Sequence, residues 1–221
     1  MQAMSFFHLK NTIERNKYLA AKNLKELGLH ELAYIHLNTH SPSIKLQDCS
    51  VNSRLYGLHE ILLVTSPSKD KDFIMLITVI SLINELCSLY TLKASRSINA
   101  FVNFLLNFTS LTPSQAKLLY TLTRCLQKDG SLANGDVEND MILAVFKYSN
   151  SRSEVITPPT IDWDGRYPLT SQDSYTLFNV VELQKLAINI LDRVFEGLLK
   201  RKIQVVDIPV EDFFYKYLDK L

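Results

Sequence analysis

The stretch from Asn11 to His40 constrains this chain more than any other, because it reads as a helix, a glycine corner and a second helix. In the first arm Ile13, Ala20, Leu24 and Leu27 recur at helical spacing, while Glu14, Arg15, Lys17, Lys22 and Lys25 point elsewhere. Such an amphipathic stripe needs a partner. Asn11 followed by Glu14 has capping-box spacing and marks the helix start. Gly28 is expected in the left-handed conformation that closes a helix, and Leu29, Leu32, Ala33 and Leu37 resume the apolar rhythm at once. The two arms are therefore expected to fold back on each other.

The same reasoning predicts helices along most of the chain. Leu55, Leu58, Ile61 and Leu62 mark a short one, ended in solvent by Pro67 and Lys69-Asp70-Lys71. The run Phe73 to Ile83, FIMLITVISLI, is the most apolar segment. Asn84 and Glu85 interrupt it too soon for a bilayer crossing at about 1.5 Å rise per residue, so it reads as a buried core helix. From about Ser97, the residues Ile98, Phe101, Val102, Leu105 and Phe108 give another face. Thr112-Pro113-Ser114-Gln115 then combines an N-cap threonine, a proline at the first helical position and a glutamine at the third. Leu118, Leu119, Leu122, Cys125 and Leu126 follow, and Gly130 is placed to stop that helix. Met141, Ile142, Val145 and Phe146 predict a short helical face. Residues 149–173 hold three of the seven prolines and the only tryptophan, and read as an irregular loop pinned by Trp163 and Tyr167. The longest helix is expected from near Asp173 through Leu177, Val180, Val181, Ile188, Leu191, Val194 and Leu198 to Lys200-Arg201-Lys202, whose cations suit the helix carboxyl end. A β-like piece, Ile203 to Ile208, leads into a terminal amphipathic helix carrying Phe213, Phe214, Tyr217 and Leu218.

With 221 residues, 47% of them hydrophobic, and a formal charge of +1, the chain can bury a core and does not attract polyanions over its whole surface. Nucleic acid and membrane are not the expected partners. Cys49, Cys87 and Cys125 lack CxxC spacing, so neither a disulfide framework nor a structural zinc site is expected. The residues Met1 to His8 carry no secretory signal pattern, which predicts an intracellular location, cytoplasmic or nuclear, and an unglycosylated Asn107-Phe108-Thr109 sequon.

Several residues could carry chemistry. His36 and His40 have the spacing of a metal pair on one helix, but Leu37 stands where H-E-x-x-H enzymes need glutamate, so no metal is expected. Cys49 with His36 or His40 would be the minimum for a small helical cysteine hydrolase, against the plainer reading of a free thiol. Cys87 and Cys125 read as core residues. Asp162 with Asp164, and Glu211 with Asp212, read as loop solvation and helix-start charge rather than acid–base pairs. No phosphate-cradling glycine motif is present, so no cofactor is expected.

These readings add up to an all-α protein, an irregular α-solenoid of about eight or nine helices stacked as hairpins. Residues 1–148 would form the array, 149–173 the irregular loop, and 174–221 a long helix and an amphipathic helix packed on the same array. Leu27-Gly28-Leu29-His30-Glu31-Leu32-Ala33 resembles the turn between the two helices of a tetratricopeptide repeat, although no 34-residue period recurs. The longer segment Tyr18–Leu37, YLAAKNLKELGLHELAYIHL, is similar to part of the N-terminal helical region of fungal separases, the proteases that open cohesin at anaphase. That resemblance implies a helical part of a chromosome-segregation protein, in a region that binds the inhibitory chaperone securin. It carries no catalytic residue, because no position here matches the family's His/Cys dyad motifs. The function expected is a non-enzymatic scaffold that holds a protein or peptide through Trp163, Tyr167, Phe213, Phe214 and Tyr217.

Overall fold

Short runs of aromatic and β-branched residues, more than the long apolar stripes, decide this architecture. The computed structural model describes residues 6–64, 72–92, 99–149, 153–166 and 171–221. In chain order the helices are α1 (Thr12–Ala20), α2 (Leu29–Leu37), α3 (Arg54–Val64), α4 (Asp72–Leu89), α5 (Ala100–Phe108), α6 (Pro113–Asp129), α7 (Val180–Leu199) and α8 (Val210–Tyr217). Between them lie β1 (Ile44–Lys45), β2 (Ser50–Ser53), β3 (Tyr90–Leu92), β4 (Ala133–Asn134), β5 (Ala144–Tyr148), β6 (Ile156–Thr157), β7 (Tyr175–Phe178), β8 (Ile203–Val205) and β9 (Leu218–Lys220). The strands form three sheets, so the chain is mixed α/β, and the expected all-α, TPR-like solenoid is wrong.

The chain divides into two units, Met1–Leu63 with Leu89–Lys93 and Leu191–Leu221, and Val64–Ser88 with Ala94–Ile190. The core of the first is α2, buried at every position from Leu32 to Leu37, as a helix apolar on all sides requires. Asn11 caps α1 as expected, its Oδ1 accepting the Glu14 amide at 2.9 Å. The helix stops at Ala20, however, because the β1–β2 turn takes the next backbone groups: Gln47 N–H donates to Lys22 O at 2.8 Å, and Leu24 N–H donates to Asp48 Oδ1 at 3.0 Å. The predicted stripe is thereby broken. Ile13 is 68% exposed, while Arg15 and Leu19 are buried. Gly28 is not left-handed but extended (φ −90°, ψ 175°), and it caps the start of α2 with its N–H donated to Glu31 Oε2 at 3.2 Å.

The strands β1, β2 and β9 make an antiparallel sheet in that order, with Ser53 opposite Leu218. Arg54 fastens β9 with a fork to Asp219 Oδ1 at 2.8 Å and a bond to Lys216 O at 2.7 Å. The β-like piece expected at Ile203 does form a strand, β8, antiparallel to β3. Arg201, at φ 56°, closes α7, and Lys202 N–H returns to Gly197 O at 2.9 Å, the 6→1 bond of a Schellman end.

The second unit is built on a four-stranded sheet in the order β4-β5-β7-β6, in which β5 and β7 are parallel and the outer pairs antiparallel. Parallel neighbours need a connection of about a dozen residues or more, and the segment after Ser149, expected to be an irregular loop, is that connection and supplies β6 to the far edge of β7. Ala144–Tyr148 is therefore a strand, not the short helix predicted from Met141 to Phe146; its Ala144, Val145 and Phe146 are all buried, as in an inner strand. Packed against the sheet, α6 keeps both predicted ends: Thr112 Oγ1 accepts the Gln115 amide at 3.3 Å, and Gly130 stands at φ 73°. Tyr175–Phe178 is likewise strand, so α7 begins at Val180, where Asn179 Oδ1 accepts the amides of Val181 at 2.9 Å and Glu182 at 3.3 Å. The helix α4 continues through Asn84 and Glu85. By length and mean hydropathy (1.8) it could cross a bilayer, a test that core helices also pass, and 56% of it is buried within the protein. Pro67 and Lys69-Asp70-Lys71, with Ser97 and Ile98, lie outside the described residues.

Candidate functional site

His36, His40 and Cys49, the residues that could carry chemistry, all lie in the first unit. His36 is fully buried, its Nδ1 at 2.7 Å from Tyr90 Oη, with the Tyr90 ring stacked at 5.9 Å and the Phe213 and Tyr217 rings edge-on at 5.6 Å. His40 is exposed beside Phe195. Cys49 is half-buried and its Sγ–H donates to Asp48 Oδ1 at 3.7 Å. Burial, and then the Asp48 charge, push its thiol above the ordinary value, the opposite of what a nucleophile needs. Among the described residues no three His, Cys, Asp or Glu side chains are grouped to hold a metal.

The residues expected to hold a partner are differently placed. Trp163 is buried (5% exposed), and its Nε1–H donates to Arg166 O at 2.9 Å across the turn at Gly165, so the ring fastens its own loop. Tyr167 lies outside the described residues. Phe213 is fully buried, and Phe214 and Tyr217 are half-buried; on the same helix Tyr215 is 74% exposed. Asp164 Oδ1 accepts the Arg166 amide at 3.0 Å, and Asp212 pairs with Lys216 at 3.3 Å, so these carboxylates shape a turn and a helix start. The basic cluster ends α7, where Lys200 reaches Glu196 at 2.6 Å and Arg201 lies over the Phe7 ring at 4.7 Å.

A site that sequence reasoning missed lies in the second unit. The parallel strands β5 and β7 end side by side at Tyr148 and Phe178, whose rings are 6.0 Å apart. With Leu132 ahead of β4, Val180 at the start of α7, and Asp72, Phe73 and Leu76 in the first turns of α4, they line a cavity of about 350 Å³. Phe73 is 53% exposed, Ile74 59% and Ile77 36%, one side of a helix by their spacing. Asp72 differs in kind. Its residue is only 7% exposed, and its buried Oδ1 has no hydrogen-bond partner. Nothing in the local sequence signals the cavity, because its walls come from four separate segments. A polar hollow lined by Arg124, Lys128, Asp129, Asn134, Asp136 and Glu138 also lies in this unit. It mixes both signs of charge, and the Ser131 hydroxyl and amide hold Asp129 below the usual carboxylate range.

No known protein family, no curated protein and no solved structure matches this chain.

Proposed function

We propose that the chain is a non-enzymatic protein-interaction module that holds a partner segment against the first turns of α4 and the cavity beside them. The observation that carries this reading is the exposed run Phe73, Ile74 and Ile77 at an apolar hollow, since contiguous exposed apolar surface marks interaction sites. Ile74 and Ile77 are exposed on the same helix without lining the cavity, so the apolar surface is wider than the hollow, and this favours a protein segment. The raised Cys49 thiol and the Tyr90 bond at His36 support binding over turnover. The likeness of Tyr18–Leu37 to a separase segment lies in the other unit and bears on neither.

The test is a photo-crosslinking benzoylphenylalanine placed at Ile77 of the whole chain in cells that express it, with the same group at Ile13, 68% exposed in the first unit, as control. A discrete protein adduct at Ile77, absent at Ile13 and abolished by Ile74→Glu, supports the reading. Identical adducts at both positions would overturn it. So would sedimentation of the purified chain with phosphatidylcholine vesicles that Ile74→Glu abolishes, because the patch would then serve a bilayer.

A further inference from the structure

Asp72 gives the cavity a sign. An acidic residue in the first turn of a helix is ordinary, because the helix amino end favours negative charge. That accounts for an acid at this position but not for its burial, at 7% exposure, with Oδ1 unpartnered. Among the described residues no cation pairs with it. A buried carboxylate is unfavourable by several kcal/mol unless it gains a counter-charge or hydrogen bonds, and the remaining walls offer neither: Phe73, Leu76, Leu132, Phe178 and Val180 are apolar side chains. Among the described residues Tyr148 is the exception, adding one hydroxyl to the lining.

We infer that the cavity takes an arginine side chain of the partner, its guanidinium on Asp72 and its stem along Leu76 and Leu132. This rests on the reading of the patch as a protein-binding surface, and it goes further by naming the side chain. Three features select that group. The carboxylate, with Oδ1 unpartnered among the described residues, favours a cation. The apolar walls suit a long aliphatic stem, which Lys and Arg both bury while the charged head finds polar company. The aromatic lining of Phe73, Tyr148 and Phe178 favours the planar guanidinium, which stacks on rings and meets a carboxylate with two donors, over the strongly hydrated ammonium of lysine. Exposed Phe73 and Ile74 beside the mouth would receive apolar neighbours of that arginine.

The experiment compares acetyl-Leu-Arg-Leu-amide with the same peptide carrying citrulline, which keeps the shape but replaces the charge and one NH2 donor with a neutral carbonyl acceptor. Binding is read from the methyl resonances of Leu76 and Leu132 in the whole chain. The arginine peptide is expected to bind at least tenfold more tightly than the citrulline peptide, and Asp72→Asn to reduce that preference below about threefold. Asp72→Asn is expected to keep or raise Tm, because it removes an uncompensated charge. Leu132→Trp, which fills the hollow, is expected to silence the Leu76 response to both peptides. Equal binding of the two peptides to the native chain would overturn the inference while leaving the interaction reading intact. No response of either methyl to either peptide would overturn it as well, and the Ile77 crosslink then decides separately whether the wider patch meets a protein. A large drop in Tm on Asp72→Asn would identify the carboxylate as structural and also defeat the inference.

Discussion

Two helix glycines in the first unit should respond to alanine in opposite senses. Gly57 lies inside α3, and a Cβ built there would meet nothing within 4 Å. Gly197 lies inside α7, and a Cβ there would overlap Ile203 Cδ1 and stand 2.8 Å from Ile203 Cγ1. Alanine in a helix interior is favoured over glycine by about 1 kcal/mol. At Gly57 that gain should appear in full. At Gly197 it is opposed by overpacking, which costs about 1–3 kcal/mol in a filled core. Ile203 cannot step aside easily, being 3% exposed on β8 and β-branched. Gly197→Ala should therefore range from neutral to about 2 kcal/mol destabilising. Ile203→Ala removes both offending atoms and leaves only its Cβ, 3.7 Å from the new methyl, an ordinary contact. In that background Gly197→Ala should turn stabilising by about 1 kcal/mol, so the cycle gives a coupling of about 1–3 kcal/mol. Urea unfolding followed by circular dichroism at 222 nm, with m unchanged, measures all five proteins. If Gly197→Ala stabilises the native background as much as Gly57→Ala does, the close packing of α7 on β8 is wrong.

Three further predictions test other parts of the fold. Thr112→Ala removes the reciprocal cap with Gln115 and should cost about 1 kcal/mol in urea unfolding, while Thr112→Ser should restore most of it; equal losses for both would refute the cap. The carboxyls of Asp48, Asp129, Glu196 and Asp219 are held below their ordinary values by the Leu24 amide, Ser131, Lys200 and Arg54 respectively. A folded value below the unfolded one means stability is complete above about pH 4 and is lost as pH falls through the folded values. Burial likewise lowers His59, whose contribution begins to be lost below about pH 6.5. Tm should therefore fall in two stages on acidification, and a flat profile from pH 7 to 3 would contradict both assignments. Iodoacetamide at neutral pH should modify Cys49 more slowly than it modifies free glutathione, and Cys87, pushed up to about 12 by burial, slowest of all. Rapid, pH-independent alkylation of Cys49 would revive the hydrolase reading.

What could be read from sequence divides by how local its cause is. Both ends of α6 were legible because the cap, the proline and the left-handed glycine are each read within a few residues. The strand at Ile203 and the helix carrying Phe213 were legible for the same reason. The end of α1 was not, because Gln47 and Asp48 terminate it from far along the chain. The strands β5 and β7 read as helix because apolar runs of four or five residues fit either period. One local signal does separate them: Asn179 followed by Glu182 has the spacing of a helix start, which leaves Tyr175–Phe178 outside the helix.

The site was less legible than the fold, and Asp72 shows why. In sequence it ends the polar run Lys69-Asp70-Lys71-Asp72 and opens an apolar helix, so every local rule assigns it to solvent and to the helix dipole. Leu132, Tyr148, Phe178 and Val180 line one cavity with it, and the parallel pairing of β5 and β7 is what sets Tyr148 beside Phe178. The aromatics chosen from sequence err the opposite way: Trp163 and Phe213 looked available for a partner, and the fold uses their rings to close itself. Aromatic character marks surface that something must cover, without saying whether the cover comes from this chain or another. A charged group withdrawn from water with no counter-charge in its own chain is more discriminating, because folding has left its desolvation uncompensated. Among the described residues that condition converges with an apolar hollow at Asp72, and it makes the charge of the bound side chain the property on which the interaction reading can be tested.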